Sequence, residues 1–200
     1  MAESPAPLQY FDREFRVDAV KILPGQYHAA RGGMITTVLG SCVSTCLWDP
    51  VERIGGMNHF MLPGDTASPG SPWAASARLG VYAMEVVINE MLRLGADRRR
   101  LVAKVFGGAR LLAGFDRLDV GAKNSEFVLE FLRVEGIRVL AQDLLDVTPR
   151  KVHFFVATGV VQVKRLAMTP SEPVERRERE YLKRLDGGRS GDIEIFTPRP

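Results

Sequence analysis

The sequence has little with which to build a disulfide scaffold, a membrane span or a nucleic-acid surface. Only two cysteines, Cys42 and Cys46, occur in 200 residues. No basic segment leading into an apolar stretch opens the chain, so no secretory signal is expected. That pairing predicts free thiols in a reducing compartment and a cytoplasmic location. A run of about 18 apolar residues is missing too, which excludes insertion into a membrane by a helix. The formal net charge is only +3. The one tight basic run, Arg98-Arg99-Arg100, follows Gly95 at a predicted helix end, where cations suit the macrodipole. Such a balance argues against a nucleic-acid binder. Gly107-Gly108 is followed by no Gly-Lys-Ser/Thr, and no Gly-x-Gly-x-x-Gly occurs, so a nucleotide cradle is excluded. No acidic pair has metal-ligand spacing, and neither a metal nor a cofactor is expected.

What is present suits one mixed α/β domain. Residues 1–30 read as an irregular segment broken by Pro5, Pro7, Pro24 and Gly25. Residues 31–168 form the predicted domain, and 169–200 a charged extension outside the core, with a short helix over Val174–Leu185. Within the domain, β-branched runs predict strands at Ile35–Leu39 and Val43–Trp48, with another strand at Met57–Leu62. Gly64–Trp73 reads as a surface loop. Ala74–Leu94 carries an apolar face at helical spacing and ends at Gly95. A strand at Leu101–Phe106 follows. Asn124 or Ser125 is expected to cap a second helix bearing Phe127, Val128, Phe131 and Leu132. Val152–Ala157 and Val160–Leu166 form a predicted hairpin about Thr158-Gly159.

Few side chains can act as a base. There are three histidines, and His153 in an apolar strand reads as a satisfied packing residue. His28 has no partner nameable from sequence. His59 stands beside Asn58 between apolar residues, a polar pair that needs partners if buried. Cys42 follows Gly40-Ser41 at a break between two strands, where a sharp turn can aim a thiol and backbone N–H groups at one cavity. A structural core cysteine is the competing reading. Cys42 and Cys46 on one strand would lie roughly 13 Å apart, too far for one tetrahedral zinc ion with sulfurs at about 2.3 Å. Cys46 therefore reads as a small core residue.

Several segments together carry a family resemblance. Thr36-Thr37-Val38-Leu39-Gly40-Ser41-Cys42-Val43 and Gly55-Gly56-Met57-Asn58-His59-Phe60-Met61-Leu62-Pro63 closely resemble the CheD family of bacterial chemotaxis proteins. Lys104–Ala109, Val120–Asn124 and Arg150-Lys151-Val152 extend the resemblance over roughly residues 30–165. It implies a layered β/β/α fold similar to bacterial deamidating toxins, and a cysteine hydrolase that deamidates chemoreceptor glutamines. It further implies Cys42 as nucleophile, His59 as base and Thr36 as the third member. Ser41 and Asn58, the polar neighbours of the pair, are expected to contact substrate, with Gly64–Trp73 as a rim. The implied partners are chemoreceptor cytoplasmic domains and a CheC-type phosphatase. The alternative is an adaptor that binds these partners with little turnover. Two departures stand out: Lys123 in place of arginine, and Leu145-Asp146 where the family commonly has a glycine pair.

Overall fold

Side chains that alternate along the strands build three layers, two sheets packed face to face and a helical layer on one of them. The computed structural model describes residues 6–62, 72–110 and 120–167, with Arg176, Glu180, Tyr181 and Lys183. The strands are β1 (Leu8–Asp12), β2 (Val17–Lys21), β3 (Tyr27–Ala30), β4 (Met34–Leu39), β5 (Val43–Asp49) and β6 (Ile54–Asn58). Helix α1 (Pro72–Arg93) leads to β7 (Val102–Gly107), and α2 (Val120–Val134) to β8 (Arg138–Leu144), β9 (Arg150–Phe155) and β10 (Val160–Arg165). One sheet has the order β1-β2-β4-β9-β10 and the other β3-β6-β5-β7-β8.

Residue parity assigns each layer. On β5, Val43 and Leu47 point to the helices, where they join Met84, Val87, Ile88 and Met91 of α1 and Val128, Phe131 and Leu132 of α2. Cys46, with Cys42 just before the strand, points the other way. Both enter an inter-sheet cluster with Ile35, Leu39, Met57, Phe106, Val152 and Phe154. The mixed α/β domain with layered sheets and helices agrees with the expectation. Each large apolar side chain buried in these layers contributes about 1.5–3 kcal/mol. No helix among the described residues is long and apolar enough to cross a membrane.

Three readings of local structure change. Within the segment 1–30, expected to be irregular, the described residues supply β1, β2 and β3. These strands are short; β1 pairs antiparallel with β2, and the pair is tied to the domain by β2 running parallel to β4, while β3 runs antiparallel to β6. Helix α2 begins at Val120 rather than at Asn124 or Ser125, both of which are buried inside it. Strand β8, mostly exposed, was not anticipated; it pairs in parallel with β7 through an irregularity at Ala103/Lys104.

The basic run serves structure. Arg98 pairs with Glu85 and Glu135, Arg99 with Asp97, and Arg100 with the fully buried Asp49 at 2.8 Å. Burial alone would raise the Asp49 carboxyl. Arg100 and the main-chain N–H groups of Asp97, Glu52 and Val51 instead hold it down at about 2.

The Leu145-Asp146 departure also has a local account. Both residues lie in the left-handed region, at φ 65° and 77°, where glycine sits at no steric cost and other residues lose roughly 1–2 kcal/mol. Hydrogen bonds from Leu145 N–H to Gly107 O (2.9 Å) and from Arg110 N–H to Asp146 O (2.8 Å) hold them there.

Candidate active site

Cys42 and His59 are brought together by strand register. Val43 and Phe60 exchange both main-chain hydrogen bonds, each 3.0 Å. That bridge continues the antiparallel pairing of β5 with β6, in which Cys46 faces Met57. Cys42 thus stands opposite Met61, and His59 opposite Ser44. Counting by twos puts Cys42 and His59 on the same inter-sheet face, as diagonal neighbours. Such positions lie about 7–8 Å apart at the main chain, a span that a thiol and an imidazole can close.

His59 is held by three contacts from two segments. Its N–H donates to Gln26 O at 2.9 Å, and its carbonyl accepts from Gly25 N–H at 2.7 Å. Its Nδ1 lies 2.7 Å from Thr37 Oγ1. The same hydroxyl lies 2.8 Å from the Ile22 carbonyl, an oxygen that can only accept. The single hydroxyl proton therefore goes to Ile22, and Thr37 accepts from Nδ1–H. This assigns the tautomer: Nε2 carries the free lone pair. Nε2 is buried and has no hydrogen-bond partner among the described residues. A buried polar atom left unpaired costs about 1–3 kcal/mol, and such atoms call for a chemical reason.

Glycine pair 107–108 packs directly behind the nucleophile. A Cβ at Gly107, whose φ is +114°, would lie 2.2 Å from the Cys42 carbonyl oxygen. Gly108 N–H bonds that same oxygen at 2.8 Å, and Ala109 N–H bonds the Gly40 carbonyl at 2.7 Å. From the helix side, the Asn124 amide donates to Ser41 O (2.9 Å) and accepts from Leu62 N–H (2.8 Å). It thus ties the Cys42 segment to the chain just after His59. Arg150, fully buried, donates to Gly107 O at 2.6 Å and Leu145 O at 2.5 Å. Sequence reading missed these supports, although the Gly107-Gly108 pair and the polar Asn124 within an apolar helix were visible signals.

Thr36 does not reach His59, which corrects the expected third member. It faces the opposite side of β4, donating to Val152 O at 2.8 Å and lying 3.3 Å from His153 Nδ1. His153 packs in turn on Phe15, with ring centroids 5.0 Å apart. Thr36 and Thr37 are equally buried, at 1% exposure, so a hydrophobicity pattern cannot tell their faces apart.

Asn58 is also displaced from its expected role. It lies on the helix face of β6, accepting from Thr45 N–H (2.9 Å) and donating to Ala83 O of α1 (2.9 Å). Those bonds commit its amide to α1 and β5, away from the Cys42 side. Ser41 is buried, with its carbonyl held by Asn124. The N–H of Val43 is committed to Phe60, so it cannot serve as an oxyanion donor. Cys46 is buried, and burial pushes its thiol up, against a smaller opposing effect of Lys104. Among the described residues no group of three His, Cys, Asp or Glu could hold a metal ion. The Gly64–Trp73 rim lies outside the described residues, save for the helical backbone of Pro72 and Trp73.

The pair is closed off: Cys42 is 0% and His59 2% exposed. An apolar cleft of about 690 Å³ between α1 and α2 does not reach them, nor does one of about 610 Å³ beside His28. Burial pushes the His59 imidazole down to about 3. Because the unfolded chain binds this proton near pH 6.5, stability is full above that pH and falls as acid is added toward the folded value. Between about pH 7 and pH 5 the His59 contribution is a loss of about 2 kcal/mol. Urea unfolding at both pH values should show this loss in the wild type, and a loss smaller by about that amount in His59→Asn.

Comparison with known proteins finds named relatives along nearly the whole chain. The family model described as CheD chemotactic sensory transduction matches residues 61–165. A probable chemoreceptor glutamine deamidase CheD from Herminiimonas arsenicoxydans is 52% identical over 190 residues, covering 94% of each chain. One named CheD 1 from Shewanella oneidensis is 51% identical over 194 residues, covering 95% of this chain and 93% of its own. The counterpart from Cupriavidus metallidurans is 46% identical over 204 residues, covering 98% of this chain and 93% of its own. With identity at this level along nearly its whole length, the chain belongs to the CheD family.

Proposed function

We propose that this chain deamidates glutamine side chains of chemoreceptor cytoplasmic domains, with Cys42 as nucleophile and His59 as general base. One observation carries the reading. The Thr37 hydrogen bond leaves the Nε2 lone pair of His59 bare on the face it shares with Cys42. The names of the relatives support the same activity and substrate class.

In this reaction Nε2 takes the thiol proton and the thiolate attacks the glutamine Cδ. The imidazolium returns the proton to the departing nitrogen, the C–N bond breaks, and ammonia leaves a glutamyl thioester. Nε2 then takes a proton from water, whose oxygen attacks the thioester. Glutamate and the free thiol result. Burial disfavours an imidazolium alone in the closed site; a thiolate beside it offsets that cost. The substrate is a helical receptor segment in the cytoplasm, and a CheC-type phosphatase belongs to the same proposal as a binding partner.

Intact-mass spectrometry of a purified receptor cytoplasmic domain tests the assignment. Wild-type protein should add about one mass unit per modified glutamine, the exchange of NH₂ for OH, and Cys42→Ala and His59→Ala should add none. Receptor binding without any mass gain would favour the adaptor reading.

A further inference from the structure

The main chain through Cys42 is held at three successive carbonyls. Gly40 O accepts from Ala109 N–H at 2.7 Å, Ser41 O from the Asn124 amide at 2.9 Å and Cys42 O from Gly108 N–H at 2.8 Å. Two of these donors are backbone groups at the end of β7. The third is a side chain, and it comes from α2. Asn124 is 0% exposed and shares the buried stripe of that helix with Val120, Val128 and Phe131. An apolar residue there would pack without the cost of desolvating an amide. Gly121 lets the helix come this close, since a Cβ on it would lie 2.3 Å from Gly108 O.

The amide has one orientation. Its Nδ2 donates to the Ser41 carbonyl, and its Oδ1 accepts from Leu62 N–H at 2.8 Å; a flip would set like against like at both ends. A trans peptide unit is planar. The plane that carries Ser41 O ends at the Cα of Cys42, and the plane that carries Cys42 O begins there. Pinning the first through Asn124 and the second through Gly108 fixes both backbone dihedrals of Cys42, and with them the direction of its Cα–Cβ bond. Through Leu62 the same amide is tied to the chain three residues after His59.

We propose that Asn124 is a positioning residue for the deamidation: it aims the Cys42 thiol by fixing the peptide plane before it, in register with the segment that carries His59. The inference rests on Cys42 being the nucleophile.

Asn124→Asp separates aim from packing. The ionised carboxylate still accepts from Leu62 N–H but turns an oxygen toward Ser41 O, whereas the protonated acid supplies an O–H that restores the donor. Burial raises the pKa of such a carboxyl, which brings the change of state into the range of the assay. In the receptor mass-shift assay at about pH 8, its kcat should fall about 100-fold with KM within about threefold of wild type. Toward about pH 5.5 that deficit, taken against wild type at the same pH, should shrink about tenfold or more. Asn124→Ala has no donor in either state, so its kcat loss should be of similar size and constant with pH. Rates are referred to the folded fraction, read by circular dichroism at each pH.

A wild-type kcat in Asn124→Ala would overturn the proposal, and so would a defect of Asn124→Asp that does not change with pH. Cys42→Ala runs alongside. If it still deamidates the receptor, or the wild type does not, the assignment of the nucleophile fails and takes this inference with it. If Cys42→Ala is inactive while both Asn124 variants match the wild type, the positioning role alone fails.

Discussion

Thr37→Val is expected to cut receptor deamidation about 100-fold in kcat, by analogy with other groups that orient a working histidine. Thr36→Val should leave it within about threefold. The two threonines are adjacent, equally buried and chemically identical, so the contrast isolates geometry. Thr37 Oγ1 accepts from His59 Nδ1–H and passes its own proton to Ile22 O. Valine keeps the volume and removes both bonds. Nδ1–H then has no acceptor, and nothing favours the tautomer that leaves Nε2 bare. Thr37 acts through His59, so it is a positioning residue, and the loss should fall on kcat with KM little changed. Thr37→Ser, which restores the hydroxyl, should recover most of the rate. Progress curves of receptor mass shift measure all three variants. A Thr36→Val defect as large as that of Thr37→Val would overturn the assignment.

Arg150→Met is expected to lower unfolding free energy by about 3 kcal/mol or more, read from urea denaturation. Arg150 is fully buried and bridges two chain segments, donating to Gly107 O and Leu145 O. It also lies 3.3 Å from Asp143 and 4.0 Å from Asp146, carboxylates that it shares with Arg165. Removing the guanidinium strands both carbonyls and releases the left-handed Leu145-Asp146 turn from one of its restraints. Arg150→Lys should recover little, because one ammonium cannot reproduce a planar fork spanning two segments. The defect should extend to the site. Gly107 backs directly on Cys42, and Gly108 holds its carbonyl. A stability change below about 1 kcal/mol would show that the buried guanidinium is replaceable.

Much of this architecture was legible along the chain. The β-branched runs of β4 and β5, the apolar spacing of α1 and the Thr158-Gly159 turn are local signals, and each element forms where those signals stand. The turn closes with Gly159 at φ +68°, its N–H bonded to Phe155 O at 2.9 Å. The strands of residues 8–30 were not legible. β2 and β3 are tied to the domain by β4 and β6, which follow them in the chain, and Pro24-Gly25 between β2 and β3 masks so short a pattern. Mostly exposed β8 and the buried asparagine of α2 failed for a related reason: neither follows the rule of one apolar and one polar face.

Local chemistry by itself pointed to a mixed α/β domain and singled out Cys42, after Gly40-Ser41, and His59, beside Asn58, as residues in unusual surroundings. Their reading as nucleophile and base came from the resemblance of both segments to the CheD family. Tertiary structure decided which threonine serves His59. Both sides of β4 are covered, the inner by the second sheet and the outer by Phe15 and His153. Burial therefore says nothing about direction, and only the register that aligns Thr37 with Val152 and Thr36 with His153 does. The same holds for Tyr181, whose ring lies against Gly25. No property of a charged tail announces that one ring will rest on Gly25, because that contact exists only once Gly25, His59 and the two sheets have been brought together.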